Sequence, residues 1–320
     1  MTLETQLKSL LNDPSIVCQA QLQSLWSGYG QIVRCQSMVN QQSYIVKEII
    51  PQAAGTHPRG WNTSTSHQRK LQSYQVEANF YQRYAGLVDQ HNKIPKLIAS
   101  CQTNDVSVLV LEDLDAAGYY IRKDVASWHD LTIAIRWLAY FHARFMGCEA
   151  TELWSVGCYW HLATRQDELS AMPASDYKRY AQQLDDKLNN ATFKTLVHGD
   201  AKFENLCFHH NGKKVAAVDF QYVGAGSGVK DLAYLVGSCL SQEQLVEFDP
   251  LIVPEYLNHL QQALAHYQVP LDFNALKTET YQLYPIAWAD FYRFLMGWNP
   301  QSWKICQYMK AKAALGLSLL

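Results

Sequence analysis

The residues best suited to chemistry lie in one stretch of the chain, Leu196 to Phe220. It contains three side chains with oxygen ligands, Asp200, Asn205 and Asp219. Mg2+ prefers such oxygens, and it usually takes one or two protein carboxylates together with phosphate oxygens. If the fold brings the three side chains together, the stretch predicts phosphoryl-transfer chemistry.

A β-hairpin would bring them together. The apolar runs 206–208 and 215–218 are typical of short strands. Asn211-Gly212 between them is a strong hairpin signal, because both positions of a two-residue turn need a positive φ. Pairing about that turn places Asn205 and Asp219 near the same open end, and Asp200 lies in the loop that enters the first strand.

The composition predicts a globular protein rather than a disordered or nucleic-acid-binding one. The 320 residues suffice for two domains, 48% are hydrophobic, and 27 basic residues nearly balance 29 acidic ones. The eight cysteines lack metal-site spacing, and no signal-peptide pattern opens the sequence. Asp290 and Arg293 interrupt the apolar stretch 286–298. We therefore expect a cytoplasmic protein with reduced thiols, no nucleic-acid partner and no membrane span.

Two glycines near the start of the chain are candidates for phosphate contacts. A predicted helix over residues 3–12 is followed by two apolar runs, and Gly28 and Gly30 lie between those runs. Backbone N–H groups of such a turn can cover phosphates. A plain hairpin turn has the same pattern and is the alternative.

Lys47 and Glu77 form a candidate ion pair. Residues 43–50 alternate as a strand, which puts Lys47 on the same face as Ile45 and Ile49. A polar segment, 51–68, is predicted as loop, and residues 69–84 then have a helical period with Glu77 on the apolar side. An inward carboxylate needs a partner, and Lys47 is the natural one. A solvated edge lysine and a helix-surface glutamate are the alternatives.

The remaining segments predict an α+β fold with two lobes. Strands at 96–100 and 106–111, with a turn at 104–105, would complete a mostly antiparallel sheet of about five strands. After Glu112 the pattern changes to helices, so we predict an N-terminal lobe over 1–113 and a C-terminal lobe over 114–320 that is helical apart from the hairpin. The predicted helices cover 130–146 (with Asp130 as N-cap), 174–190, a segment entered at 230–235, 242–248, 254–267, 274–296 and 301–318.

The order of these features resembles the protein-kinase-like fold. In detail it is similar to the aminoglycoside phosphotransferase and choline kinase-like family, including its ecdysteroid-kinase-like branch, over roughly residues 25 to 300. The most specific part is His198-Gly199-Asp200-Ala201-Lys202-Phe203-Glu204-Asn205, followed by Val218-Asp219-Phe220-Gln221. The family has His-Gly-Asp-x-x-x-x-Asn and then an Asp after an apolar strand. The resemblance implies a small antiparallel-sheet lobe with one helix and a larger, mainly helical lobe.

The resemblance also implies an ATP- and Mg2+-dependent phosphotransferase that acts on a hydroxyl of a small molecule. It makes Asp200 the catalytic base and gives Lys202 the neutralisation of charge on the moving phosphoryl group, although a solvated loop lysine fits Lys202 equally well. Asn205 and Asp219 would hold Mg2+. By the same resemblance, Lys47 with its partner Glu77 would bind phosphates, and Gly28 and Gly30 would cover them. The backbone of Glu112 and Leu114 would contact the adenine. Asp231 would brace the catalytic loop, although it could instead be a helix N-cap.

Some features depart from a protein kinase. The catalytic loop has Gly199 where protein kinases have arginine, and Gln221 stands where they have glycine. Only about ten residues separate Asp219 from Lys230, with no Ala-Pro-Glu segment after them. A protein kinase is therefore disfavoured, and a non-catalytic pseudokinase is the other rival. Because the glycine turn is short, both ATP and GTP stay candidates for the nucleotide.

The acceptor alcohol is left open by the sequence. Choline-, aminoglycoside- and steroid-like alcohols are the candidates, since the many Trp and Tyr residues suit a quaternary ammonium or a flat apolar body. The candidate pocket residues, each of which could instead be core, are Tyr120, Trp160, His161, Asp290 and Trp298.

Overall fold

The computed structural model describes residues 2–25, 28–50, 64–103 and 106–320. Within them, one sheet contains five antiparallel strands: β1 (Ile16–Ser24), β2 (Gly30–Ser37), β3 (Ser43–Ile49), β4 (Leu97–Gln102) and β5 (Ser107–Glu112). Their order is β1-β2-β3-β5-β4. Lys47 on the central strand β3 is paired with Ile32 of β2 and Leu109 of β5, so its backbone is fixed from both sides.

Two helices pack on this sheet, α1 (Leu3–Leu10) and α2 (Ser64–Arg83). Leu7 of α1 joins Tyr44 and Val46 in an apolar cluster on one face of β3. Ile49, from the other face, packs with Tyr74 of α2. The alternation predicted for β3 is therefore confirmed, and it turns Lys47 towards α2.

The predicted sheet is confirmed in strand number and direction, but the segment predicted as loop over 51–68 is partly wrong. Residues 64–68 are helical, because α2 begins at Ser64 rather than at Arg69. Residues 51–63, residues 26–27 of the glycine turn and the predicted turn at 104–105 lie outside the described residues.

Helices dominate the chain after Glu112. They are α3 (Trp128–Arg144), α4 (Gln166–Ala171), α5 (Asp176–Arg179), α6 (Ala181–Asn189), α7 (Val229–Cys239), α8 (Gln242–His266), α9 (Phe273–Trp298) and α10 (Gln307–Ser318). Two short antiparallel pairs lie among them: β6 (Thr195–Val197) with β9 (Gly224–Gly226), and β7 (Leu206–Phe208) with β8 (Val215–Ala217). The predicted α+β class is confirmed.

The β7–β8 hairpin has the predicted register and a different turn. Phe208 pairs with Val215, as expected for a turn centred on Asn211-Gly212. Gly212 has φ +67° whereas Asn211 does not share the positive φ, so the prediction of two such positions is wrong. The Asn211 side chain instead accepts a hydrogen bond from the N–H of Lys213, and Gly212 donates to the carbonyl of His209. These bonds stabilise a wider loop.

Several helix boundaries differ from prediction. Helix α3 begins at Trp128 with Ser127 as N-cap, and Asp130 is the third helical residue, which closes a capping box. Residues 174–190 contain two helices that meet at Tyr180, and α10 begins at Gln307 rather than at 301.

Two features of the helical part were not predicted. Helix α8 continues through Pro250 and Pro254. The burial of its apolar side, which includes Ile252, stabilises the helix by more than the backbone hydrogen bonds lost at the prolines cost. The β6–β9 pair was also missed, since Gly224 to Gly226 carries no side-chain pattern of a strand.

No helix in the described part of the chain combines the length and apolar character needed to span a membrane.

The lobe boundary after residue 113 stays a prediction. It falls where β5 ends, and there Arg34 of β2 forms ion pairs with Asp113 and Asp115.

Candidate active site

A cavity of about 1180 Å³ lies between the sheet and the helices. Both parts of the chain contribute to its wall. The sheet side includes Leu25, Ile32, Lys47, Glu77, Glu112 and Leu114, and the helical side includes Asp200, Lys202, Asn205, Asp219, Tyr234 and Trp298. Eight of the ten residues predicted for the site therefore line one cavity, namely all except Gly28 and Gly30.

Lys47 and Glu77 form a buried ion pair. The Lys47 Nζ lies 2.5 Å from a carboxylate oxygen of Glu77, and the two residues are 5% and 2% exposed, which rules out the solvated alternatives for both. Burial by itself would lower the pKa of Lys47, but the charges of Glu77 and Asp219 outweigh it and raise that pKa. Lys47 therefore carries a positive charge at neutral pH.

Asp219, just after the β7–β8 hairpin, contacts the Lys47–Glu77 pair. Its carboxylate is 3.4 Å from the Nζ of Lys47, and its backbone has φ +70°, a conformation that few non-glycine residues adopt. Burial would raise the pKa of Asp219, but Lys47, Lys202 and Lys70 together lower it. The site therefore contains an ionised carboxylate compensated by lysines.

Asp200 and Asn205 are held together in the loop before the hairpin. The Asn205 side-chain amide donates to the backbone oxygen of Asp200 at 2.8 Å and to its carboxylate at 3.1 Å. The N–H of Val218, next to Asp219, donates to the Asn205 carbonyl at 3.0 Å. Asp200, Asn205 and Asp219 thus meet at the open end of the hairpin, as the sequence predicted.

Neighbouring groups shift the pKa of Asp200 in opposite directions. Burial raises its pKa, the ammonium of Lys202 lowers it, and the carboxylate of Asp219 raises it, with a net increase. Lys202 lies 3.4 Å from the Asp200 carboxylate, which raises the pKa of Lys202 despite its burial. A carboxylate with a raised pKa is a stronger proton acceptor.

Asp231 braces the loop that carries Asp200. Its two carboxylate oxygens accept the backbone N–H groups of His198 and Gly199 at 2.6 and 2.9 Å, and one also contacts His142 at 3.1 Å. It is the third residue of α7, whose N-cap is Gly228, so the N-cap alternative for Asp231 is wrong.

The backbone between His198 and Asp200 requires a glycine, Gly199. It has φ +79°, and a Cβ there would lie 2.0 Å from the carbonyl oxygen of Tyr222. An arginine at this position, as in protein kinases, would not fit this backbone.

The glycine turn and the edge of β5 define the other end of the cavity. Gly30 has φ +143°, and a Cβ there would lie 1.9 Å from the Glu48 carbonyl oxygen, so the pairing of β2 with β3 requires glycine. Gly28 is exposed with φ +76°. Glu112 and Leu114 border an apolar surface that also includes Leu25, Ile32, Leu111, Cys207 and Val218.

Of the five acceptor-pocket candidates, Trp298 lines the cavity. Trp160 donates to Asp290 at 2.9 Å, and Asp290 pairs with Arg293, so these residues form a buried polar cluster in the core. His161 faces Asp185 at 3.8 Å. Tyr120 is 57% exposed and stacks on His210.

Sequence reasoning missed several polar and aromatic residues of the cavity. Lys70 lies seven residues before Glu77, two helical turns away on the same side of α2, and this spacing could have revealed it. Its ammonium lies over the Tyr74 ring, as does that of Lys47. Burial lowers the pKa of Lys70 to about 8, with Asp219 opposing the effect and Lys47 adding to it. Arg165, Tyr234 and Lys304 gave no local signal, because only the fold brings them to the cavity.

The comparisons with known proteins agree with the predicted resemblance. The profile of the ecdysteroid kinase-like family matches residues 155–269, a segment that contains the catalytic loop, the hairpin and Asp231. No curated protein matches the chain. The resemblance to this family is therefore confirmed over about a third of the sequence.

The solved structures that match the chain include three that each cover most of it. An aminoglycoside-3'-phosphotransferase of type VIII shares 14% identity, with 84% of this chain and 95% of that chain covered and a TM-score of 0.45. Aminoglycoside phosphotransferase APH(3'')-Id from Streptomyces rimosus, in complex with ADP and streptomycin, shares 13% identity, with 90% and 100% covered and a TM-score of 0.47. A Plasmodium vivax ethanolamine kinase shares 11% identity, with 94% and 82% covered and a TM-score of 0.49.

The architecture and the family match point to the same class of fold. A five-stranded antiparallel sheet with α2 beside the cavity faces a helical part that carries a loop and a hairpin, and this arrangement resembles the protein-kinase-like fold. The resemblance is to its kinase-like, small-molecule phosphotransferase branch.

Replacing Asp231 by asparagine should destabilise the protein. The asparagine would turn its NH2 group towards one of the N–H donors that Asp231 now accepts, which leaves a buried donor unpaired at a cost of about 2–4 kcal/mol. Urea unfolding followed by tryptophan fluorescence measures the change. The exposed Asp186→Asn is the matched control, and equal stability of Asp231→Asn and wild type would contradict the bracing role.

Proposed function

We propose that the protein is an ATP- and Mg2+-dependent phosphotransferase that moves the γ-phosphoryl group to a hydroxyl of a small molecule. The observation that carries this proposal is the convergence of a buried Lys47–Glu77 pair with Asp200, Asn205 and Asp219 on one cavity. Positioning and charge compensation are what phosphoryl transfer mainly needs from a protein.

The sheet side of the cavity suits a nucleotide. In the proposal, the apolar surface bordered by Leu114 receives the adenine, with backbone groups of Glu112 and Leu114 as its hydrogen-bond partners. Lys47, fixed by Glu77, binds the α- and β-phosphates, and Gly28 and Gly30 lie over them. Lys70 adds a further ammonium on the side of Asp219, where the γ-phosphate would lie.

The residues at the hairpin fit a magnesium ion. Asp219 is ionised, 33% of its side chain is exposed, and it borders the cavity. The Asn205 amide nitrogen is committed to Asp200, so the amide oxygen is the atom that Asn205 can offer a cation. Asn205 and Asp219 would hold the ion, a small set that suits an ion with phosphate and water ligands. When bound, Mg2+ would neutralise charge on the phosphoryl oxygens.

The transfer step assigns roles to Asp200 and Lys202. The acceptor hydroxyl oxygen forms a bond to the γ-phosphorus while the bond from that phosphorus to the β–γ bridging oxygen breaks, leaving ADP. Asp200 orients the hydroxyl and accepts its proton, which its raised pKa favours. Lys202, beside Asp200, compensates charge on the transferred group.

Two rival functions are less well supported. A pseudokinase would not need the whole set of Lys47, Glu77, Asp200, Asn205 and Asp219 on one cavity. A protein kinase needs a platform for its peptide after the metal-binding Asp. Here β9 and α7 begin five and ten residues after Asp219, which supports a small acceptor.

Replacing Asp200 by asparagine should remove turnover and preserve nucleotide binding. The substitution keeps the shape of the side chain but deletes the proton acceptor, so we expect turnover to fall by about 10²–10⁴-fold. ADP release is measured with the best acceptor from a panel of choline, ethanolamine, sugars, aminoglycosides, macrolides and steroids, and nucleotide affinity by calorimetry.

The exposed Asp186→Asn serves as the control for Asp200→Asn and should turn over like wild type. Wild-type turnover in Asp200→Asn would refute the catalytic role of Asp200.

Replacing Asp219 by alanine should abolish the Mg2+ dependence of nucleotide binding. Wild-type protein should bind a non-hydrolysable ATP analogue about tenfold or more tightly in Mg2+ than in EDTA, because the carboxylate helps to hold the ion. The variant should show the same affinity in both buffers, and the exposed Asp124→Ala should retain the difference. An undiminished Mg2+ effect in Asp219→Ala would overturn the metal assignment.

A further inference from the structure

The wall of the cavity beyond Asp200 is aromatic. Its rings pack on one another: Tyr159 lies edge-to-face with Tyr222 and Phe294 at 5.1 and 5.6 Å between ring centres, and Phe294 stacks on Trp298 at 5.5 Å. The other rings on this side are Tyr234, Phe291 and Trp303. A fixed wall of this kind suits an acceptor with a flat apolar body.

Two of these rings, Tyr159 and Phe294, have a cation of the protein over one face. The Arg165 guanidinium lies 4.3 Å from the ring centre of Tyr159 and 5.3 Å from that of Phe294. Arg165 is 3% exposed and is held by Glu168 at 2.8 Å and by the Tyr159 carbonyl at 2.8 Å. A positively charged acceptor on this wall would therefore lie near the like charge of Arg165.

Lys304 repeats this arrangement nearer to Asp200. Its Nζ lies 5.0 Å from the ring centre of Tyr234 and 5.7 Å from that of Trp303. Tyr234 lies beside Asp200, whose charge adds to burial in raising the pKa of the phenol. Among the described residues, Lys304 forms no ion pair with a carboxylate, and Glu204 and Asp200 are the acidic groups that raise its pKa against the effect of burial.

We propose that this part of the cavity selects an anionic alcohol: a molecule with a flat aromatic or alicyclic body, the reacting hydroxyl, and a carboxylate or sulfonate-type group that pairs with Lys304. The body lies on the Tyr159–Phe294–Trp298 wall, and the anion meets the ammonium over Tyr234. This inference rests on the proposed phosphotransferase function, and it excludes choline-like and aminoglycoside-like cations as acceptors.

A matched pair of dyes tests the inference. 8-Anilinonaphthalene-1-sulfonate and N-phenyl-1-naphthylamine share one aromatic body, and the first carries a sulfonate. Both are titrated by fluorescence into protein saturated with Mg2+ and a non-hydrolysable ATP analogue. We expect wild type to bind the sulfonate about tenfold more tightly, the gain typical of a charge-assisted hydrogen bond.

The variant Lys304→Gln should lose that preference and leave the affinity of the neutral dye unchanged. Lys310→Gln, an exposed lysine on α10, is the control and should bind both dyes like wild type. Equal affinities of wild type for the two dyes, an unchanged preference in Lys304→Gln, or no binding of either dye would each overturn the inference.

Phosphoryl transfer itself gives the second readout. Cholate, its methyl ester and its cationic dimethylaminopropyl amide share one hydroxylated body and differ in charge. We expect kcat/KM to be highest for the carboxylate and lowest for the cation, and the reverse order would overturn the inference. Failure of the nucleotide analogue to bind would instead count against the proposed function, so the two failures are distinguishable.

Discussion

The buried ion pair between Lys47 and Glu77 is the interaction on which the rest of the site depends. Removing one partner of such a pair leaves an uncompensated charge in the interior, which typically costs about 3–5 kcal/mol. The pair joins the central strand of the sheet to α2, and Glu77 also accepts the backbone N–H of Phe220. Phe220 stacks on Phe80 of α2 at 4.2 Å between ring centres. Strand, helix and the Asp219 segment are therefore positioned together.

Charge compensation explains how so many ionised groups share one cavity. Lys47, Lys70 and Lys202 all act on Asp219, so its carboxylate stays ionised despite burial. The same lysines face the space where phosphates would bind in the proposed function. Two further cations, Arg165 over Tyr159 and Lys304 over Tyr234, lie farther along the wall, and in the proposed function they belong to the acceptor part of the cavity.

Local patterns in the sequence predicted the elements and most of the candidate site. Strand alternation placed Lys47, helical period placed Glu77, and the hairpin signal placed Asn205 and Asp219 at one end, because each of these relations acts over few residues. The turn at Asn211 and the course of α8 through Pro250 were mispredicted, since a side-chain hydrogen bond and a buried face outweighed local propensity. Lys304 could not be found, because only tertiary packing brings it near Asp200, about a hundred residues earlier.

In the proposed function, this cavity transfers a phosphoryl group rather than only binding a nucleotide. Phosphorus NMR of the protein with Mg-ATP and hydroxylated small molecules tests it most directly, because the γ-phosphorus reports its own fate. If the proposed function is right, the γ-phosphate signal converts into a phosphomonoester signal as ADP appears, and only when Mg2+ is present. ATP that stays intact with every alcohol, or that yields inorganic phosphate alone, would refute phosphoryl transfer by this cavity.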